Sequence, residues 1–292
     1  MSGTVDQRAE MAASAGKEDL GRFVHDPSPR VIKALLTNRN LSEQEVLIIA
    51  SRKNLPGDLL ESIAKDRRWA ESYLLRLALA KNPKTPMFAA LSMARYLRLF
   101  DLADIARSHF LPLVYRHKLE AIIIEKIPTM ALGLKKSLAK TVVGNVLLTM
   151  LRDQDPEVVQ ACLNNPHLLE SHLFKVITRH DTVPGTIRMI AEHAAWSNRY
   201  TVRLALARNS HTPLARCVRF FEDMKIRDLR DLYEDPTAPT GMKPYIHREI
   251  IERGEEVERD AEEKKEVYEI VEEDGAAEPE PDDTEEGGQD EE

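Results

Sequence analysis

One segment of this chain occurs twice. Residues 63–86 read IAKDRRWAESYLLRLALAKNPKTP, and residues 190–213 read IAEHAAWSNRYTVRLALARNSHTP. The two copies align without a gap, so that Ile63 pairs with Ile190 and Pro86 with Pro213, and half of the paired positions are identical. Repetition on this scale is typical of stacked helical units, in which each unit packs on its neighbours, and not of one folded catalytic core.

Shorter repeats lie inside the long one. An asparagine follows a small residue by four positions in four places, and Ile127 takes the corresponding place in a degenerate fifth repeat; the four asparagines are Asn38, Asn82, Asn165 and Asn209. The spacing lies near the ~40–47 residues of HEAT and armadillo repeats, which are pairs or triplets of helices. No stretch alternates apolar and polar residues as a half-buried strand does. The sequence therefore predicts an all-α solenoid of stacked short helices over residues 26–250.

Signals for helix starts recur along the chain. Thr85 and Thr212, each followed by proline, are predicted as N-caps with the proline at the first helical position. Asp155 is predicted to cap a helix in the same way. Ser42 and Glu45 have the spacing of a capping box.

Composition limits the class of protein. Hydrophobic residues make up 42% of the chain and aromatic residues only 5%, so aliphatic side chains must form the core. The two cysteines, Cys162 and Cys217, exclude a disulfide framework and suit a reducing compartment. The N-terminus has no apolar signal-peptide segment, and the apolar stretch 141–151 is too short to span a bilayer. We therefore expect a soluble, cytoplasmic protein without membrane association.

Charge divides the chain into a basic body and an acidic end. Residues 251–292 contain 21 Asp/Glu and 4 Lys/Arg, whereas residues 1–250 have a net charge of +9. Residues 51–140 hold 17 basic and 8 acidic residues. The predicted organisation is a partly disordered lead-in over 1–25, the solenoid over 26–250, a charged helix over 251–273 and a disordered acidic tail over 274–292. The tail either shields the basic face of the body or only adds solubility.

The helix-end segments resemble a known repeat family. The segments ALAKNPKTP (78–86) and ALARNSHTP (205–213), with the weaker ACLNNPHLL (161–169), are similar to the leucine-rich-repeat-variant family of HEAT-like α-solenoids. The resemblance covers residues 26–222 and implies a right-handed stack of short helices used as a binding surface. The period of about 44 residues is longer than that family's unit. The N-terminal cysteine cluster that some members use for an iron–sulfur centre is missing.

Two groups of side chains are candidates for binding a partner. A basic cluster could neutralise an acidic protein or phosphates, or could simply solvate helices; it comprises Arg67, Arg68, Lys81, Lys84, Arg95, Arg98, Lys135, Lys136 and Lys140. Trp69 and Trp196 occupy equivalent places, each four residues before a tyrosine on one helix face. They either pack between repeats or serve as aromatic anchors for a partner.

The remaining polar residues indicate structure more than chemistry. The four asparagines are predicted to satisfy orphan carbonyl and N–H groups at helix ends, and a row of ligand-binding amides is the alternative. The histidines lack metal-ligand spacing, and no catalytic motif or cofactor-binding loop is present. The cysteines are interpreted as small buried hydrophobes.

The sequence favours a non-catalytic scaffold that binds another protein, acidic or extended, without a cofactor or metal. The alternative is a nucleic-acid-binding HEAT-like protein that uses the basic face of residues 51–140. A DNA-glycosylase-like enzyme with Trp69 or Trp196 beside Asp66 or Glu71 belongs to that alternative.

Overall fold

A computed structural model of the chain describes residues 4–254, which consist of helices and turns with no strand. The prediction of an all-α fold is confirmed for this part of the chain. The chain divides into two compact units, Met1–Val202 and Arg203–Glu292. The predicted charged helix is described only over 251–254, which are helical. Its remainder, 255–273, and the predicted acidic tail, 274–292, lie outside the described residues.

The helices are short. The first nine are α1 (Val5–Ser14), α2 (Leu20–Phe23), α3 (Pro29–Leu36), α4 (Glu43–Ser51), α5 (Gly57–Lys65), α6 (Tyr73–Lys81), α7 (Met87–Ala94), α8 (Leu99–Arg107) and α9 (Leu113–Lys126). The next nine are α10 (Leu132–Ala139), α11 (Gly144–Met150), α12 (Pro156–Leu163), α13 (Glu170–Ile177), α14 (Pro184–Glu192), α15 (Ala194–Ser197), α16 (Tyr200–Arg208), α17 (Leu214–Glu222) and α18 (Ile226–Glu234). A further helix, α19, covers 243–254.

The helices form two sets related by the same alignment that pairs Ile63 with Ile190. Extended along the chain, this alignment matches both ends of α3, α5, α6 and α8 with those of α12, α14, α16 and α18. It also matches the starts of α1, α4 and α7 with those of α10, α13 and α17. We therefore call residues 5–126 the first half and residues 132–253 the second half, and we call two residues that the alignment pairs counterparts. The duplication visible in one segment of sequence extends through nearly all of the described chain.

Helix α1 lies within the segment 1–25 that the sequence indicates as a partly disordered lead-in. It has a capping box formed by Thr4 and Gln7, and Ala12 is buried where α1 packs against α3. Because α10 is its counterpart, α1 belongs to the duplicated set of helices. The helical repeat thus begins near Val5, before the predicted boundary at residue 26.

Within the first unit, most helices pack on the helix two positions further along the chain. The packed pairs include α1–α3, α3–α5, α4–α6, α5–α7, α6–α8, α7–α9, α10–α12 and α12–α14. This order of contacts is the one expected of stacked helical repeats, in which local contacts dominate. The right-handed sense of the stack stays a prediction.

The core consists of aliphatic residues, as the composition predicts. Leu35 on α3 is fully buried, and its counterpart on α12 is Cys162, which is also fully buried. Burial raises the pKa of Cys162 to about 12 and that of Cys217 to about 11. Both thiols are therefore neutral at physiological pH, and the interpretation of the cysteines as small buried hydrophobes is confirmed.

The second unit has its own apolar core, in which Phe221 and Leu232 are buried. The guanidinium of Arg253, on α19, donates to the carbonyl oxygens of Phe221 at 2.7 Å and Met224 at 2.6 Å. These bonds satisfy carbonyls at the end of α17 and tie the last described helix to it.

Two of the predicted helix starts are displaced by one residue. The N-caps of α7 and α17 are prolines, so Thr85 and Thr212 lie one position earlier. The Thr212 hydroxyl donates to the Leu206 carbonyl oxygen at 2.6 Å instead of capping the next helix. A hydroxyl next to a free carbonyl at a preceding helix end satisfies that end first. The predictions for Asp155 and for the Ser42–Glu45 capping box are confirmed.

None of the described helices is both long enough and apolar enough to span a bilayer.

Candidate partner-binding surface

The repeated asparagines join one helix end to the helix end before it. The Asn165 amide donates to the carbonyl oxygens of Ala139 at 2.7 Å and Val142 at 2.9 Å. Its side-chain oxygen accepts the His167 N–H at 2.7 Å. Asn165 is only 3% exposed, so these groups have no access to bulk water. The side chain therefore replaces the water that three buried backbone groups would otherwise need.

The same arrangement occurs at the counterpart of Asn165 in the first half. The Asn38 amide donates to the carbonyl oxygens of Ala12 at 2.9 Å and Ala15 at 3.0 Å, and its oxygen accepts the Asn40 N–H at 2.8 Å. Ala12 and Ala15 are the counterparts of Ala139 and Val142. Two equivalent networks therefore hold the two halves in the same local geometry.

Asn82 repeats the pattern within the first half. Its amide donates to the carbonyl oxygens of Ala50 at 2.7 Å and Arg52 at 2.9 Å, and its oxygen accepts the Lys84 N–H at 3.0 Å. The oxygen of Asn209 accepts the His211 N–H at 2.9 Å. These contacts match the helix-end role that the sequence predicts.

Some of the predicted basic cluster is engaged inside the fold. Lys135 forms an ion pair with Asp153 at 2.9 Å, and both side chains are largely buried. The counterpart of this pair in the first half joins Arg8 and Asp26 at 2.8 Å. Lys136 pairs with Glu157. The repeated position of the Lys135 pair shows that this cation belongs to the repeat and not to an exposed binding face.

Arg68 is likewise held by its own neighbourhood. Its guanidinium pairs with Asp66 at 2.6 Å and donates to the carbonyl oxygens of Leu36 at 2.5 Å and Asn38 at 3.0 Å. The hydrogen bond from Arg68 is the main cause of a lowered pKa at Asp66. Asp66 is therefore an ionised partner of Arg68, which leaves it poorly suited to proton transfer beside Trp69.

The two tryptophans pack differently because of Arg68. Trp196 donates its indole N–H to the Leu163 carbonyl oxygen at 2.8 Å. The counterpart of Leu163 is Leu36, whose carbonyl oxygen is occupied by Arg68. The indole N–H of Trp69 is buried without a hydrogen-bond acceptor among residues 4–254. Both rings are partly buried against the fold, as the packing interpretation expects, and neither is a fully exposed anchor.

The rest of the predicted cluster is divided along α6. The Arg98 guanidinium lies 5.0 Å from the ring centroid of Tyr73, and the Arg98 N–H donates to the Tyr73 hydroxyl at 3.1 Å. Tyr73 begins α6 and Lys81 ends it. At the rise of an α-helix these ends lie roughly 12 Å apart. Arg98 and Lys81 therefore lie near opposite ends of α6.

Six members of the cluster are exposed and form no ion pair with a residue in the described range 4–254; they are Arg67, Lys81, Lys84, Arg95, Arg98 and Lys140.

Sequence reasoning missed an exposed apolar surface at the turns of the first half. Phe88 is 87% exposed and Phe110 is 82% exposed. Leu113 and Val114, the first two residues of α9, are also exposed. We call Lys53, Lys84, Phe88, Phe110, Leu113 and Val114 the turn edge. Large apolar side chains that cluster on an exposed surface often mark a binding site.

Contacts in the structure place three helix-joining turns side by side at this edge. The Lys53 ammonium, before α5, lies 5.1 Å from the ring centroid of Phe110, before α9. A Cβ placed on Gly57 would lie 2.8 Å from the carbonyl oxygen of Lys84, before α7. The Tyr115 hydroxyl of α9 donates to the Ala80 carbonyl oxygen, at the end of α6, at 3.1 Å. The turns 52–56, 82–86 and 108–112 therefore lie on one edge of the first unit.

The turn edge is basic as well as apolar. Residues 52–57, 81–87 and 108–114 contain four Lys/Arg and no Asp/Glu. Arg52 donates to the carbonyl oxygens of Val24 and Asp26, so the lysines supply the free charge. Exposed phenylalanine beside lysine suits a ligand with acidic groups next to apolar ones.

The counterparts of these residues in the second half lack both properties. Ala215, Thr237, Thr240 and Gly241 stand in place of the four apolar residues, and His180 and His211 in place of the two lysines. These positions are exposed in both halves. The fold therefore does not require the apolar residues of the turn edge.

That difference was available in the sequence. Aligning the chain with itself, with Ile63 on Ile190, pairs Phe88 with Ala215 and Phe110 with Thr237. The residues that are identical between the two halves lie mostly at buried or half-buried positions, whereas the informative differences lie at exposed ones. The signal for this exposed apolar surface is a large apolar residue that pairs with a small or polar one close to a helix-starting proline.

The structure contains no group of three or more His, Cys, Asp or Glu side chains suited to a metal ion within residues 4–254. No protein-family model matches the chain, and neither the comparison with curated proteins nor that with solved structures gives a match.

Proposed function

We propose that this chain is a non-catalytic interaction protein, built from HEAT-like repeats, that binds an acidic, extended segment of another protein at the turn edge. The observation that supports this function is the difference between the two halves. The same local fold recurs with its core and its asparagine networks, yet at the turns compared the first half has exposed Phe88 and Phe110 beside lysines and the second half has Ala215 and Thr237. A surface that the fold does not need is best explained by binding.

The apolar residues would supply most of the binding energy. Burying a phenylalanine side chain contributes about 1.5–3 kcal/mol. Removing one ring should therefore weaken binding roughly tenfold or more. Lys53 and Lys84 would set the preference for acidic partners and increase the association rate more than the affinity.

Selection of random peptides displayed on phage against the full chain tests this proposal. We expect the recovered peptides to combine Asp/Glu with large apolar residues. The triple variant Phe88→Ala, Phe110→Thr and Leu113→Thr replaces each side chain with its second-half counterpart and should abolish recovery of these peptides. The folded state should tolerate these changes, because the second half already has them.

Leu74→Thr is the matched control. Leu74 is 55% exposed near the start of α6, away from the turn edge, and its second-half counterpart is Thr201. The control should bind like the unmodified chain. Peptides that bind the triple variant as well as the unmodified chain would place the interface elsewhere and refute the proposal.

The nucleic-acid alternative rests on the exposed cations between residues 51 and 140. Affinity for DNA or RNA should fall steeply as salt rises, because bound phosphates release counterions. Binding to Arg67→Gln, Arg95→Gln and Lys140→Gln variants would then decrease, whereas the triple variant of the turn edge would bind normally. The acidic residues 255–292 would compete with either ligand, so removing them should strengthen binding of both.

A further inference from the structure

A second surface difference between the halves lies in a groove between α11 and α13. The groove has a volume of about 430 Å³. Its lining residues are Asn145, Leu148, Thr149, Arg152, Lys175, Val176, Thr178 and Arg179. Three of these eight residues are cationic and none is acidic.

The positive charge is only partly neutralised. Asp181 forms ion pairs with Arg152 and with Arg179, the second at 2.9 Å. The Lys175 ammonium forms no ion pair with a residue of the described chain. Three cations against one carboxylate leave a net charge of +2, which matches a phosphate group at neutral pH, whose charge is about −1.5 to −2.

One of the groove's donors has no partner. The Nε atom of Arg152 is buried and has no hydrogen-bond acceptor among residues 4–254. A buried N–H of a charged guanidinium that lacks an acceptor is unfavourable, and such groups usually contact an ion or a water molecule. An oxyanion in the groove would supply the acceptor once a small movement of the Arg152 side chain exposed its Nε atom.

The first half lacks this arrangement. His25 stands in place of Arg152 and Ile48 in place of Lys175. Arg52, the counterpart of Arg179, donates to the carbonyl oxygens of Val24 at 2.7 Å and Asp26 at 2.9 Å, and Asn54 stands in place of Asp181. The repeat therefore folds without a cationic groove at this position, and the second half has one.

We propose that this groove binds the phosphate group of a small molecule through Arg152, Arg179 and Lys175. A phosphate has several oxygens in a tetrahedral arrangement and can accept from all three side chains, whereas a carboxylate offers two oxygens in one plane. Asp181 already provides a carboxylate to the two guanidinium groups. This site is separate from the turn edge and does not depend on the function proposed for it.

Titration of the full chain with inorganic phosphate and with pyrophosphate, at constant ionic strength, tests the proposal. The Arg152 Nε–H signal in ¹⁵N-resolved NMR spectra should shift and saturate with both anions. Chloride should leave the signal unchanged, and acetate should bind much more weakly. A signal that responds equally to acetate, or that fails to saturate with either phosphate compound, would overturn the assignment.

Two variants taken from the first half complete the test. Lys175→Ile and Arg152→His introduce the residues present at positions 48 and 25, which that half tolerates as exposed side chains. Each should weaken pyrophosphate binding roughly tenfold, as expected for loss of a charged hydrogen bond, measured by calorimetry. Arg188→Gln removes an exposed cation of α14 outside the groove and should have no effect. Equal affinities of the three variants would refute the proposal.

Discussion

Replacing Asn165 with alanine should remove the network that joins α12 to the end of α10. The side chain makes three hydrogen bonds to backbone groups, of 2.7, 2.9 and 2.7 Å, and is 3% exposed. A hydrogen bond of this kind contributes about 1 kcal/mol net, and a buried group left without a partner costs at least as much. We therefore expect Asn165→Ala to lower the free energy of unfolding by about 3 kcal/mol.

Urea titration followed by circular dichroism measures this change. Asn164→Ala is the matched control, because Asn164 is the adjacent residue and its side chain is exposed, so that water can replace the hydrogen bonds that this side chain makes. This substitution should lower the free energy of unfolding by less than about 1 kcal/mol. Asn38→Ala should match Asn165→Ala within about 1 kcal/mol, since the two networks are equivalent. An Asn165→Ala variant as stable as the Asn164 control would refute the reasoning.

Three further predictions concern single sites. Gly144 has a φ of +59°, and a Cβ there would lie 2.3 Å from the Glu120 carboxylate, so Gly144→Ala should destabilise by about 1–3 kcal/mol. Gly133→Ala, where a Cβ meets open space, should be neutral or stabilising when both variants are compared by urea titration. Burial raises the pKa of Asp26, but hydrogen bonds from Arg8 and the Ser28 N–H, with nearby charge, outweigh it and lower the pKa. The stabilisation from Asp26 is therefore present above its ordinary pKa of 3.8 and lost as pH falls below it. The Asp26→Asn variant should therefore lose less stability between pH 6 and pH 3 than the unmodified chain does. An equal loss in the two proteins would contradict this prediction. Arg68→Ala introduces the residue present at the counterpart position, 195, and should free the Leu36 carbonyl oxygen to accept from Trp69. The Trp69 indole N–H signal should then move downfield in NMR spectra. An unmoved signal would contradict this exchange of hydrogen-bond partners.

The fold was predictable because its signals are local. The asparagines mark helix ends, and Asp155 with the Ser42–Glu45 pair marks helix starts, since each satisfies backbone groups within a few residues. The misplaced start at Thr212 also has a local origin. The hydroxyl of a threonine before a proline can cap the following helix or donate a hydrogen bond to a carbonyl oxygen of the preceding one. The Thr212 hydroxyl donates to a carbonyl oxygen six residues earlier.

The binding surface was less predictable because charge does not reveal pairing. Lys135 and Lys136 look like free cations in sequence, yet their partners Asp153 and Glu157 lie 18 and 21 residues away. Exposed apolar residues at the turn edge resemble core residues, because an apolar residue after a helix start is usually buried. The local sequence around α7 does not distinguish exposed Phe88 from its buried neighbour Ala89, whereas the pairing of Phe88 with Ala215 in the self-alignment does.

Short-range packing also has a consequence for synthesis on the ribosome. The hydrogen bond from Tyr115 reaches back 35 residues and that from Asn82 reaches back 32 residues. Chains dominated by such near contacts fold quickly, because little loop-closure entropy must be overcome. Early helices of this protein can therefore dock as soon as the next pair emerges, which leaves few apolar surfaces waiting for distant partners and reduces the need for chaperones during translation.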